Sequence, residues 1–294
     1  MDIRVLEQST SNAPIPGGIS LEVTLDFNDL AQLSDEARRA LAIERAVPEE
    51  ARSPLGRRVS PGNATDDAYI ADFVETRATN DALEVRGIAP VAVPHVETTG
   101  LSSGSLYTCR VHVYPRPEIG LTSLEPVDLR TGRIPKPGFS TRAGREGDAN
   151  VEYIDDEKTL RMLMVKRLDG ELPEPAMRAL EDEYTQKFER ELAEHNIDLE
   201  SYRLAHNLTE EQYALMMARN ALADAHWSYV LDAVFAGCGF TITDNDLLAY
   251  FEEHFPGYAE QLLELHELRN DLWVHIEKVR RAKALDWLLE NAIK

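Results

Sequence analysis

Cysteine is scarce in this chain: there are two in 294 residues, Cys109 and Cys238, and neither has a partner at metal-ligand or redox spacing. A disulfide scaffold and a zinc ribbon are therefore excluded. Positive charge is also in short supply, with 31 Lys and Arg against 52 Asp and Glu, a formal net charge of -21. Neutralising a phosphate backbone needs a surplus of Lys and Arg on some face, so DNA and broad nucleic-acid binding are not expected. Docking on an anionic membrane is disfavoured for the same reason. No run of 18 apolar residues occurs, and the opening MDIRVLEQST has no basic stretch followed by an apolar one. The expectation is a soluble, cytoplasmic protein.

The residue groupings of common catalysts are missing too. None of the eight histidines pairs with another at i, i+3 or i, i+4, the spacing of a helical metal site. His226, His266 and His275 read as surface or interfacial positions. Gly237 and Gly239 follow a helix pattern, whereas a phosphate cradle precedes one. Cys238 lies between them with no base nearby in sequence. The carboxylate runs Glu181 to Glu183 and Glu252 to Glu253 read as solvated helix faces. No catalytic residue, metal ligand or cofactor is expected.

What is present is globular composition, 43% hydrophobic and 28% charged, in a chain long enough for two domains. The first third reads as strand, helix, helix, strand. Ile3 to Glu7 and Ile19 to Phe27 are strand-like, with Leu21, Val23 and Leu25 alternating against Glu22, Thr24 and Asp26. Asn28 is expected to cap a helix carrying Leu30, Leu33, Ala37, Leu41 and Ala42, which stops before Pro48. Thr65 or Asp66 caps the next, with Ile70, Phe73, Val74 and Ala78 inward. Ile88 to Val93 and Ser105 to Tyr114 are expected to be extended.

Residues 130–150 are dense in Gly, Pro, Ser and Thr and locally basic through Arg130, Arg133, Lys136, Arg142 and Arg145. This stretch reads as a linker between domains. After it the pattern is helical to the end. One helix runs from Asp155 or Asp156 through Leu168 to Gly170. A long one runs from Glu174 to His195, a short one starts at Asp198, and another runs from Thr209 to Ala236. Thr243 opens a helix to Phe255, and Tyr258 to Ile293 is two helices or one bent one. Methionine and aromatic residues concentrate in this half. They are either helix–helix core or an adaptable apolar surface for partners.

Two stretches resemble the trigger factor family of bacterial ribosome-associated chaperones. In residues 80–129, Ile88, Pro90 and Pro94, then Val113, Tyr114, Pro115, Glu118, Ile119, Gly120 and Leu121, follow the order in which that family ends its ribosome-binding domain. In residues 155–294, LPEPAMRALEDEYTQKF, FTITDNDLLAYFEEHF and the closing VRRAKALDWLLENAIK are similar to successive helices of its C-terminal domain. The resemblance implies an α+β fold: residues 1–129 as an N-terminal ribosome-binding-like α/β domain, 130–150 as a linker, and 151–294 as an all-helical C-terminal domain. It implies an ATP-independent holdase binding unfolded or nascent polypeptides in a helical cradle. The candidate client-binding residues are Met162, Met164, Tyr184, Phe188, Tyr213, Met217 and Trp273.

The sequence departs from the family in two places. An FKBP-like prolyl isomerase domain usually separates the two parts, and 130–150 has no room for one, so isomerase activity is not carried over. The docking loop, G-F-R-x-G-K-x-P in the family, is SPLGRRVSPG here. Arg57 and Arg58 are the candidate ribosome contacts, set against a simple exposed basic turn. The alternative function is a dedicated interaction or oligomeric scaffold protein, with a second copy of the chain as partner.

Overall fold

A computed structural model describes residues 1–6, 18–47, 65–102, 106–132 and 156–293. The loop holding Arg57 and Arg58 and most of the expected 130–150 linker lie outside these residues. The described parts form a mixed fold in which a small antiparallel sheet accompanies a largely helical chain. Contacts group it into two compact units. The first comprises Met1–Pro117, Leu172–Leu222 and Ile242–Glu277, and the second Glu118–Glu171, Ala223–Thr241 and Lys278–Lys294.

The first unit begins with strands β1 (Asp2–Leu6) and β2 (Ile19–Leu25), then helices α1 (Phe27–Ala46) and α2 (Asp66–Arg86), then β3 (His95–Ser102) and β4 (Leu106–Val113). The sheet order is β1-β2-β4-β3, antiparallel throughout. The alternation in β2 puts Leu21, Val23 and Leu25 on one buried face, and the paired Cys109, Val111 and Val113 of β4 extend it. Leu33 of α1 and Val74, Ala78, Ala82 and Leu83 of α2 close the core from above. Burial pushes the Cys109 thiol up to about 11, so it stays protonated as a small apolar side chain.

Two sequence expectations shift here. Helix α1 is capped by Asp26, not Asn28: the Asp26 carboxylate accepts the Asp29 backbone N–H at 2.8 Å, and the Asp29 side chain returns to the Asp26 N–H. The last strand pair starts at His95, not Ile88. Prolines 90 and 94 cannot donate to a ladder, and Pro90 makes only an isolated bridge to Pro115. Strand β3 continues through Thr98 and Gly100, where the register shifts.

Also in the first unit are α5 (Glu174–Glu194), α6 (Leu199–Ala205), the start of α7 (Glu210–Gly237), α8 (Asp244–His254), α9 (Ala259–Arg269) and the start of α10 (Leu272–Asn291). Helix α9 docks on α1 and α2 through polar groups. Arg269 donates to Glu44 at 3.0 Å and to the Tyr69 hydroxyl at 3.1 Å, and Glu44 is 0% exposed. Arg77 donates to the carbonyls of Glu267 and Leu268, Asn80 to that of Arg269, and Asn270 to Asp81 and Glu84. The bonds from Arg77 and Asn80 satisfy carbonyls that the end of an α-helix leaves open. Asn270 itself is left-handed, at φ 51°, which separates α9 from α10.

The second unit holds the ribbon β5 (Gly120–Leu121) with β6 (Leu168–Asp169), the short α3 (Leu129–Gly132), α4 (Asp156–Val165), and the later parts of α7 and α10. Helix α4 ends five residues before the expected Gly170. Leu168 and Asp169 pair with β5 instead, and the Arg167 carbonyl accepts from the Thr122 N–H at 2.8 Å. Leu160, Met164, Val230, Val234 and Ala284 form its buried interior. Arg281 pairs with Asp232 and Arg161 with Asp224 at its surface.

Candidate functional site

The strongest candidate surface is the hairpin of α5, α6 and the first half of α7. Pro173 and Pro175 open α5 at positions where a missing N–H costs nothing. Asn196, left-handed at φ 56°, ends it, and the Ile197 N–H reaches back to the Leu192 carbonyl at 2.9 Å. Asp198 caps α6 by accepting from the Ser201 N–H at 2.8 Å. The Ser201 hydroxyl and N–H hold its carboxyl below the usual range. Asn207 turns the chain again, and Thr209 with Gln212 forms the capping box of α7.

This geometry lays α7 antiparallel to α5. Phe188 of α5 meets Tyr213 of α7 at 6.4 Å between ring centroids, and Tyr202 of α6 meets Phe188 edge-on at 5.2 Å. The Tyr213 hydroxyl faces Glu189 at 3.5 Å. Burial and that carboxylate push its pKa up to about 12, so it remains a donor. Towards the other end of the hairpin lies a pocket of about 350 Å³. Its floor is Met177 and Leu180 of α5 with Ala218 and Leu222 of α7, and its rim is Glu174, Arg178, Glu181 and Arg219. Ile197, Leu215 and Leu204, the last 71% exposed, add apolar surface along the hairpin.

The residues picked from sequence divide three ways. Tyr184 and Phe188 are half-buried on α5, and Phe188 and Tyr213 come together. Met164 and Met217 are buried completely, and Tyr213 nearly so. They sit on the inward stripes of their helices and present almost no surface to a partner. Met162 on α4 and Trp273 at the start of α10 are half-buried away from the hairpin's own sequence. Sequence reasoning missed Leu180, Ala218 and Leu222 as pocket residues. The signal for them was the stripe Met177, Leu180, Tyr184 and Phe188 along one face of α5. His266 and His275, expected at surface or interfacial positions, are buried. Among the described residues, no group of three or more His, Cys, Asp or Glu is placed to hold a metal ion, and no helix is long and apolar enough to cross a membrane.

Fold and site together define an α+β protein whose helical part carries an open apolar hairpin surface. Comparison with known proteins shows what the helical part resembles. Residues 154–290 match the model for the bacterial trigger factor protein C-terminus. Trigger factor of Thermobifida fusca (strain YX) is 26% identical over 168 residues, covering 56% of this chain and 35% of that protein. The chain thus spans about a third of the length of this relative. A solved structure concerned with promiscuous substrate recognition in folding and assembly by the trigger factor chaperone aligns with 99% of each chain at 14% identity, with a TM-score of 0.39. The helical region of this chain is thus similar to the C-terminus of bacterial trigger factor.

Proposed function

We propose that this protein is an ATP-independent chaperone of the cytoplasm that holds unfolded or nascent polypeptide segments on the α5–α7 hairpin. The supporting observation is the pocket floored by Met177, Leu180, Ala218 and Leu222, which lies within the stretch matching the trigger factor C-terminus. Methionine and leucine side chains adapt to many apolar shapes, which suits a binder of varied clients. Apolar burial contributes roughly 25 cal/mol per Å², so a few client side chains bind weakly and exchange without fuel. Tyr184 and Phe188 extend the surface from the pocket towards the hairpin tip, with Met162 and Trp273 as further contacts. The proposed organisation keeps residues 1–129 as a head and 151–294 as the client-holding part, with 130–150 standing where an isomerase domain would be. Prolyl isomerisation is not part of the activity.

The test is suppression of aggregation of a chemically unfolded client at equimolar ratio. The wild type should suppress it, and Met177→Glu/Leu222→Glu should lose the effect several-fold with an unchanged far-UV circular dichroism spectrum. No suppression by the wild type would leave the scaffold reading, which light scattering of the purified chain would then support by showing a stable oligomer. Ribosome contact through Arg57 and Arg58 is tested by co-sedimentation, with Arg57→Ala/Arg58→Ala expected to release the protein into the supernatant.

A further inference from the structure

We propose that β1, an edge of the four-stranded sheet, is a docking strand for a second copy of this chain, the two β1 strands pairing antiparallel into one continuous sheet. Among the described residues β1 has β2 as its one strand partner, so the ladder ends there. Its register on β2 sets Ile3 opposite Val23 and Val5 opposite Leu21 on the helix-covered face. Asp2 opposite Thr24 and Arg4 opposite Glu22 lie on the other face. Val5 is 51% and Met1 43% exposed, although both side chains are apolar. The Ile3 carbonyl accepts from the Arg86 guanidinium at the end of α2. A residue in an antiparallel ladder turns its N–H and C=O to the same side, so Ile3 and Val5 present theirs away from β2.

The strand is complementary to itself in one register. With Ile3 opposite Ile3 of the second copy, Asp2 faces Arg4 of the second copy, Arg4 faces its Asp2, and Met1 faces its Val5. Both ion pairs then fall at non-hydrogen-bonded positions, where Cα atoms approach to about 4.5 Å and side chains are closest. Shifting the pairing by two residues either way opposes Asp2 to Asp2 or Arg4 to Arg4. Shifting it by one sets Ile3 against a charge. In the single chain Asp2 and Arg4 bond one another at 2.9 Å with both side chains more than half exposed, so exchanging partners costs little. Arg86 acts as a gatekeeper, because its guanidinium occupies the carbonyl that the N–H of the second copy's Ile3 would take. A ribbon of this length buries less than the roughly 1,200 Å² of a stable complex, so the dimer exchanges quickly. This pairing is independent of the chaperone reading.

The readout is sedimentation equilibrium of the full chain from about 5 to 500 µM, the range of a weak complex. The salt is set at about 0.15 M, where a Debye length of about 8 Å screens the repulsion between two chains of net charge -21 more than pairs in contact. The wild-type mass should rise from that of one chain towards two. Asp2→Arg alone and Arg4→Asp alone each oppose like charges between the copies and should weaken association about tenfold. An equimolar mixture of these two variants restores both ion pairs and should recover the wild-type mass. Val5→Pro removes an N–H that β2 does not use, so it should keep the wild-type far-UV circular dichroism spectrum and stay monomeric. Arg86→Ala uncovers the Ile3 carbonyl and should strengthen association several-fold. The proposal is overturned if the wild type stays monomeric to the highest concentration, or if the charge variants or Val5→Pro associate as the wild type does. It is equally overturned if mixing the two charge variants restores nothing.

Discussion

Helices α1 and α2 have two working faces, and the two are built from opposite chemistry. One covers the sheet with Leu33, Val74, Ala78, Ala82 and Leu83 against Leu21, Val23, Val111 and Val113. The other meets α9 with Glu44, Tyr69, Arg77, Asn80, Asp81 and Glu84 against Arg269, Asn270 and open carbonyls. The apolar face supplies non-directional stabilisation and tolerates sliding. The polar face is satisfied in one register only, because a buried charge displaced from its partner is costly. Stability and position are thus assigned to different sides of the same helices.

The largest test of this division is Arg269→Met, which leaves the Glu44 carboxylate buried without its guanidinium. It should cost about 3–5 kcal/mol in urea unfolding. Combining it with Glu44→Leu should recover most of that loss, because an apolar pair of similar volume needs no counter-charge. A double variant as unstable as the single one would show that the face depends on shape and not on charge. On the apolar side, Leu21→Ala should cost roughly 2–5 kcal/mol, and no second substitution on the polar face should rescue it. The smallest effect is expected at the rim, where Arg39 and Glu264 pair at 2.9 Å with both side chains about half exposed. Arg39→Ala should cost less than about 1 kcal/mol and nothing measurable in about 1 M salt.

Much of the fold was legible before any coordinates. The caps at Asp198, Thr209 and Thr243 follow from side chains that satisfy the first backbone N–H groups locally and stand where the sequence puts them, and of Thr65 and Asp66 the structure uses Thr65. Asp26 took the place of Asn28 because the capping box needs an acidic partner three residues on, and Asp29 supplies it. Strand β3 was hidden because HVETTGLS has no clean alternation, and it forms only by pairing with β4. In the candidate site, Phe188 and Tyr213 were readable as aromatics of two long helices, while their meeting was not. The inward turn of Met164 and Met217 was not, because methionine serves core and surface equally well.

The sequence by itself determined the order of most strands and helices, most of the capping residues and the resemblance to trigger factor, since each depends on neighbours along the chain. The scarcity of cysteine and of positive charge likewise narrowed the chemistry at once. Tertiary structure alone decided which side chains meet across long separations. Glu44 finds Arg269, His266 lies against His275, and the hairpin forms a pocket from residues some forty positions apart. Charge and burial act through space, and no local pattern records the partner that a buried group will need.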